Sequence, residues 1–202
     1  MMNIQKPFSE SCVQNQQAIL DVLLPLLKDK KHVLEIGSGT GQHAVFFAKH
    51  MPHLIWQTSD QSMYHNGIKL WLDDADLENT RSPLAINVST DQWPKETFDT
   101  IFSANAVHIM SWDNVVDYFK NACPLLEAEG YFILYGPFNY NGEYTSESNA
   151  NFDLWLKNND PKSCIKDFEK LNDLAEQGDM KFVDDIAMPA NNRILIWQKA
   201  GK

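Results

Sequence analysis

The chain has 202 residues, 44% of them hydrophobic and 22% charged, values that exclude a disordered chain, a collagen or a small disulfide-stapled fold and predict one domain over 1–202. Its 17 Lys and Arg stand against 27 Asp and Glu, a net charge of −10 with no basic stripe, which counts against nucleic acid and anionic membrane surfaces as direct partners. Cys12, Cys123 and Cys164 are odd in number, widely spaced and without a CxxC, so neither a disulfide framework nor a zinc site is expected.

Residues 1–30 read as an N-terminal helical segment or lid. Ser9 is placed to cap its helix, and Ala18, Ile19, Val22, Leu23, Leu26 and Leu27 recur at helical spacing. Pro25 is expected to bend or shorten that helix. His32–Ile36 reads as a buried strand that ends in glycines, followed by a helix over Gln42–His50 and a second strand over Leu54–Thr58. A helix over Asn66–Leu77 turns Ile68, Trp71, Leu72 and Leu77 inward, and Pro83–Val88 and Phe98–Ser103 read as the third and fourth strands. Asp113 is the expected cap of a helix reaching to about Cys123, and Gly130–Tyr135 is the fifth strand. Residues 137–164, rich in Asn, Tyr and Ser, read as a substrate loop insertion with a short helix near Phe152–Leu156. A helix over Lys166–Glu176 and strands over Lys181–Ala187 and Arg193–Gln198 close the chain.

Strand–helix alternation predicts a parallel α/β sheet with helices on both faces. The last two strands are joined only by Met188-Pro189-Ala190-Asn191-Asn192, too short for a parallel crossover, so this pair must be an antiparallel hairpin. No apolar run approaches the ~20 residues of a membrane span. The opening residues carry no apolar signal-peptide region, and a cytoplasmic location is the expectation.

The strongest chemical signal is Glu35-Ile36-Gly37-Ser38-Gly39-Thr40-Gly41 at the end of the first strand. Glycines let the chain turn tightly and let a ligand approach the backbone, and the following helix start offers unpaired N–H groups. A dinucleotide fingerprint would carry glycine at position 42, where this chain has Gln42. Asp60 ends the second strand, placed to accept both hydroxyls of a ribose.

This constellation resembles the class I S-adenosylmethionine (SAM)-dependent methyltransferases, whose Glu/Asp-x-Gly-x-Gly-x-Gly motif is matched by Glu35, Gly37, Gly39 and Gly41. The chain is most similar to one subgroup, the domain-of-unknown-function 938 or methyltransferase-like 26 proteins. That likeness rests on Lys6-Pro7-Phe8-Ser9 with Asn15, on the glycine motif through His43, and on Asn105–Ile109, Tyr135–Phe138, Ser148–Asp153 and Met188–Arg193. The resemblance implies a Rossmann-like seven-stranded sheet, mostly parallel with its last strand antiparallel. It also implies SAM as cofactor and S-adenosylhomocysteine as product. Carried over by position, it puts Glu35, Gly37, Ser38, Gly39, Gly41, Asp60, Asn87, Val88, Ser103, Ala104 and Asn105 at the cofactor. Asn87 stands where many superfamily members have an acid; its amide still offers a donor and an acceptor to adenine.

Methyl transfer needs a base only when the acceptor must lose a proton. His108, just after the fourth strand, is the candidate, against a packing or substrate-orienting role. Asn15, Tyr135, Phe138, Asn139, Tyr144, Asn149 and Arg193 are the candidate substrate contacts, with a structural ion pair the alternative for Arg193. The aromatics of the loop suit a small, partly apolar or cationic acceptor. No histidine pair has metal-site spacing, so no metal is expected. The leading expectation is a SAM-dependent methyltransferase acting on a small molecule, with its oligomeric state open. The alternatives are a non-catalytic SAM-binding protein on the same fold and, disfavoured by Gln42, an NAD(P)-dependent oxidoreductase.

Overall fold

The computed structural model describes residues 5–90 and 92–201, so the first four residues of the expected N-terminal segment and Lys202 lie outside the described residues. Two compact units emerge, residues 1–87 and 88–202.

The first unit contains helix α1 (Glu10–Leu26), strand β1 (His32–Glu35), helix α2 (Gln42–His50), strand β2 (Ile55–Asp60), helix α3 (His65–Ala75) and strand β3 (Thr80–Ala85). Ser9 caps α1 as expected, its side chain accepting from the Cys12 N–H. Pro25 sits in the last turn, and the helix stops one residue later. Ile19, Leu20, Leu23 and Leu27 are buried, while Ala18, Val22 and Leu26 are half-buried.

β1 runs parallel to β2 and β2 parallel to β3. The third strand lies earlier than the expected Pro83–Val88. Gln57 faces Arg81 while Ser59 faces Leu84, so β3 carries an extra residue around Ser82–Pro83. A bulge tolerates the missing proline N–H, which is how a proline survives inside this strand.

The second unit contains β4 (Phe98–Ala104), α4 (Trp112–Ala122), β5 (Leu126–Gly136), β6 (Phe138–Asn139), α5 (Glu147–Asn159), β7 (Lys166–Asp167), α6 (Phe168–Gln177), β8 (Met180–Met188) and β9 (Asn192–Lys199). The cap of α4 is Ser111 rather than Asp113. The Ser111 side chain accepts from the Asn114 N–H, and Asp113 contributes its charge to the first turn instead. α5 is far longer than expected. Its buried residues are Asn149, Asp153 and Leu156, so polar side chains fill most of its inner face and hide the helical period. Lys166 and Asp167 are not helical; they pair with Phe138 and Asn139 in a two-residue parallel ladder.

The closing hairpin is as expected, with β9 antiparallel to both β5 and β8. β8 bulges at Val183, where Phe182 faces Trp197 and Asp184 faces Ile196. The seven longer strands form one mixed sheet in the order β3-β2-β1-β4-β5-β9-β8, with β9 alone reversed.

Candidate functional site

In the first unit the glycine turn follows β1 directly. Gly37, Gly39 and Gly41 have φ of 77°, 57° and 90°. At Gly41 a Cβ would lie 3.1 Å from the Ile68 Cα, so bare backbone is required where α2 starts against α3. At Gly39 a Cβ would meet nothing within 4 Å, and the position is exposed. The turn is therefore tight at its base and open at its tip.

Hydrogen bonds stitch this turn to β2. The Gly37 and Ser38 N–H groups both donate to the Ser59 carbonyl, at 3.1 and 2.9 Å. Ser38 Oγ donates to Glu35 Oε2 at 2.8 Å and accepts from the Ser59 N–H. Trp56 Nε1–H also donates to Glu35 Oε2, at 3.1 Å. Burial pushes the Glu35 pKa up to about 7, against the lowering effect of the Trp56 and Ser38 bonds. Glu35 thus lies beneath the turn as a buried clamp.

Asp60 lies at the tip. Its Oδ2 accepts from the Gly39 N–H at 2.8 Å and its Oδ1 from the Gln61 N–H at 2.7 Å. Burial raises its pKa, opposed by those two amides and by His65. Each carboxylate oxygen has a second lone pair free for a ligand hydroxyl. Asn87 is half-buried just beyond β3.

Sequence reasoning missed what Gln42 does. Its Oε1 accepts from the Ser9 N–H and its Nε2 donates to the Ser9 carbonyl, so one carboxamide holds both faces of a peptide in the N-terminal segment. His43 adds a second tie through a 2.7 Å contact between Nε2 and Asn15 Oδ1. Asn15, a candidate substrate contact, thus has its side-chain oxygen on His43. Trp71 Nε1–H donates to the Pro7 carbonyl at 2.6 Å, and Lys6 lies 3.7 Å above the Trp71 ring. No spacing rule reveals such long-range pairs.

In the second unit Val88 and Ser103 are buried, and Ala104 is half-buried at the end of β4. Asn105 follows with φ 57°, its N–H on the Tyr135 carbonyl. His108 is 5% exposed, and its Nδ1 is buried with no hydrogen-bond partner among the described residues. Burial, helped by the charge on Lys166, pushes the His108 pKa down to about 4, so the ring is neutral at neutral pH. A Cβ on Gly136 would lie 3.5 Å from His108 Nδ1 and 3.7 Å from Asn105 Oδ1, so both side chains reach one spot over bare backbone. Phe152 sets its ring edge-on to His108, with centroids 5.2 Å apart.

The remaining candidates separate. Asn139 is buried, with an unpartnered Oδ1. Tyr135 and Phe138 are buried core side chains. Tyr144 Oη donates to Asp153 Oδ2 at 2.7 Å, and Asn149 Nδ2 donates to Thr145 Oγ1 and the Asn191 carbonyl. Arg193 Nε donates to Asp185 Oδ1 at 2.6 Å and Nη2 to the Asp185 carbonyl at 3.0 Å, the structural ion pair weighed as its alternative role. Lys166, which the sequence did not single out, is buried with its ammonium on the Met110 and Cys164 carbonyls. Among the described residues no cluster of three or more His, Cys, Asp or Glu is placed to hold a metal, and no helix is long and apolar enough to cross a membrane.

Solved structures share this architecture. An O-methyltransferase family protein from Burkholderia thailandensis superposes with a TM-score of 0.84 at 14% identity, over 95% of this chain and 58% of its own. SibL, an S-adenosylmethionine-dependent methyltransferase, gives 0.79 at 19% identity over 94% of this chain and 56% of its own. The YcgJ protein from Bacillus subtilis gives 0.73 at 14% identity, over 92% of this chain and 100% of its own. This chain thus spans a little under three fifths of the first two proteins. At such identities the likeness is one of fold: a Rossmann-like methyltransferase sheet. The family described as protein of unknown function (DUF938) matches residues 6–199, and the chain belongs to that family.

Proposed function

We propose that this protein is a SAM-dependent methyltransferase acting on a small-molecule acceptor. The observation that carries this reading is the Asp60 carboxylate fixed by the Gly39 amide at the open tip of the glycine turn. A nucleoside fits such a tip, because the carboxylate accepts from ribose hydroxyls while Gly39 presents no side chain. The fit extends to charge. The sulfonium and amino groups of SAM are cationic, and Asp60 is the acid at the tip of the turn.

The committed amides favour SAM over a dinucleotide. A pyrophosphate takes its donors from the amides of the glycine turn. Here Gly37 and Ser38 spend theirs on Ser59, and Gly41 on the Ser38 carbonyl. Gln42 further fills the place of the fingerprint glycine with a side chain bound to Ser9. SAM carries no phosphate and makes no such demand.

Gly37, Ser38, Gly39, Gly41, Asp60 and Asn87 are the cofactor contacts of the first unit in this reading, with Val88, Ser103, Ala104 and Asn105 those of the second. When bound, SAM supplies a methyl group on a sulfonium sulfur, and the carbon–sulfur electron pair stays with sulfur as the methyl leaves. The second unit takes the acceptor, and a proton the acceptor loses goes to His108 Nδ1, neutral and unpartnered.

Calorimetric titration tests this. SAM and S-adenosylhomocysteine are expected to bind in the micromolar range, and Asp60→Ala to weaken both by roughly tenfold or more. Full binding by Asp60→Ala, or binding of NADH in place of SAM, overturns the reading.

A further inference from the structure

The first unit carries one nucleophile that methyl transfer does not use. Cys12 is half-buried in the first turn of α1, and its Sγ lies 3.9 Å from His43 Nδ1. On the far side of that ring, Nε2 lies 2.7 Å from Asn15 Oδ1. A carboxamide oxygen only accepts, so Nε2 carries the ring proton and Nδ1 turns a bare lone pair toward the thiol. Phe47, stacked on the ring with centroids 5.2 Å apart, fixes its plane. Thiol, imidazole and amide thus stand in the order of a Cys-His-Asn catalytic set.

At rest the pair is neutral. Burial raises the Cys12 pKa above its ordinary 9.0, with Glu35 adding to the rise and the Ser9 and Thr40 hydroxyls opposing it. Burial lowers the His43 pKa to about 4. Little thiolate therefore stands at neutral pH, and the sulfur becomes a strong nucleophile only when Nδ1 takes its proton during attack. Two features choose the electrophile. A half-buried sulfur admits a small reagent, and a base that faces the sulfur can return its proton to the group that leaves. A hydroperoxide meets both conditions, because its leaving oxygen must be protonated.

We propose that Cys12, with His43 as its base and Asn15 as the positioning residue of that base, is a hydroperoxide-reactive thiol site. The sulfur attacks the terminal peroxide oxygen as its proton passes to Nδ1. The O–O bond breaks with its electron pair on the departing oxygen, which takes the proton from Nδ1. Cys12 is oxidised to the sulfenic acid, and the peroxide is reduced to an alcohol, or to water where it is hydrogen peroxide. Residues 1–87 hold no second cysteine, so within that unit the sulfenic acid is left for an external thiol, giving a mixed disulfide and water. The site makes no use of SAM, and it is independent of the cofactor assignment.

Hydrogen peroxide is added to the full chain with dimedone, which traps sulfenic acid, and each cysteine is followed by peptide mass spectrometry. An unassisted thiol that titrates above 9 reacts about 100-fold faster at pH 8 than at pH 6. Cys12 is expected to hold its rate within about threefold across that range, because His43 stays neutral throughout. Glu35, with a pKa of about 7, titrates inside the range, so the profile is repeated in Glu35→Gln, where it is expected to stay flat. His43→Gln is expected to slow Cys12 at least roughly tenfold at pH 7 and to restore the steep profile. Iodoacetamide, whose iodide leaves without a proton, is expected to be slowed less. Asn15→Asp sets a carboxylate on the Nε2–H, strengthens the base and is expected to speed the reaction with peroxide severalfold. Buried Cys123 stays unlabelled in each variant while the fold survives. A steep profile in the wild-type protein or in Glu35→Gln, or an unchanged rate in His43→Gln, overturns the proposal. Equal slowing with both reagents overturns peroxide as the reagent, and no gain in Asn15→Asp overturns the positioning role of Asn15.

Discussion

The glycine turn of the first unit and the loop cluster of the second solve opposite problems. Around the turn, Glu35, Ser38, Ser59 and Trp56 form a closed set of hydrogen bonds. Around His108 and Asn139, buried polar atoms stay open. A closed network holds backbone in one shape before a ligand arrives, while open atoms give up stability for a specific contact later. The first unit thus offers a pre-set backbone turn, and the second a few unsatisfied buried side chains.

The largest expected effect comes from breaking the closed set. Glu35→Ala takes the acceptor from the Trp56 Nε1–H and the Ser38 hydroxyl proton in the core and is expected to destabilise by about 3–5 kcal/mol in urea melts. Glu35→Gln keeps an acceptor and is expected to lose about 1 kcal/mol. Its pH signature is specific. The folded pKa of Glu35 is about 7 against an ordinary 4.5, so its contribution is complete below 4.5 and is lost as pH rises through 7. Glu35→Gln removes that limb.

Each unit also buries one neutral histidine, which sharpens the comparison by pH. His43 and His108 have folded pKa values of about 4 against an ordinary 6.5. Their contribution is present above 6.5 and drains as pH falls toward 4, on the order of 3 kcal/mol for each ring. This slope opposes that of Glu35, and two rings outweigh one carboxyl, so net stability falls on acidification. Urea melts between those limits are expected to flatten by one ring's share in His43→Gln and again in His108→Gln. Equal slopes in wild type and both variants break the argument.

A smaller effect than either tests the latch. Gln42→Gly frees Ser9 and restores the dinucleotide pattern, and is expected to destabilise by about 1–2 kcal/mol and to speed proteolysis near Ser9. NADH is still not expected to bind, because the Gly37 and Ser38 amides remain on Ser59.

The legible parts of this molecule are those dictated by backbone. Gly39 and Gly41 need positive φ, and the short connection between β8 and β9 forces a hairpin. The spacing that singled out Asp60 was legible for the same reason, because it follows from strand length. α5 escaped because its inner face is Asn149 and Asp153, and β3 was misplaced because Pro83 reads as a boundary. The Gln42–Ser9 and Lys166 contacts escaped for a different cause. They join residues far apart in sequence, and each side chain taken alone reads as solvent-exposed.

The two bulges reach beyond the site. β3 and β8 are the end strands of the sheet, and each is interrupted, one at Ser82–Pro83 and the other at Val183. Neither rim offers a neighbouring molecule a long, flat row of free peptide groups, the template from which strand-by-strand aggregation grows. Straightening both rims would expose that template, and crowded solutions of such a variant are expected to gel more readily than those of the natural chain.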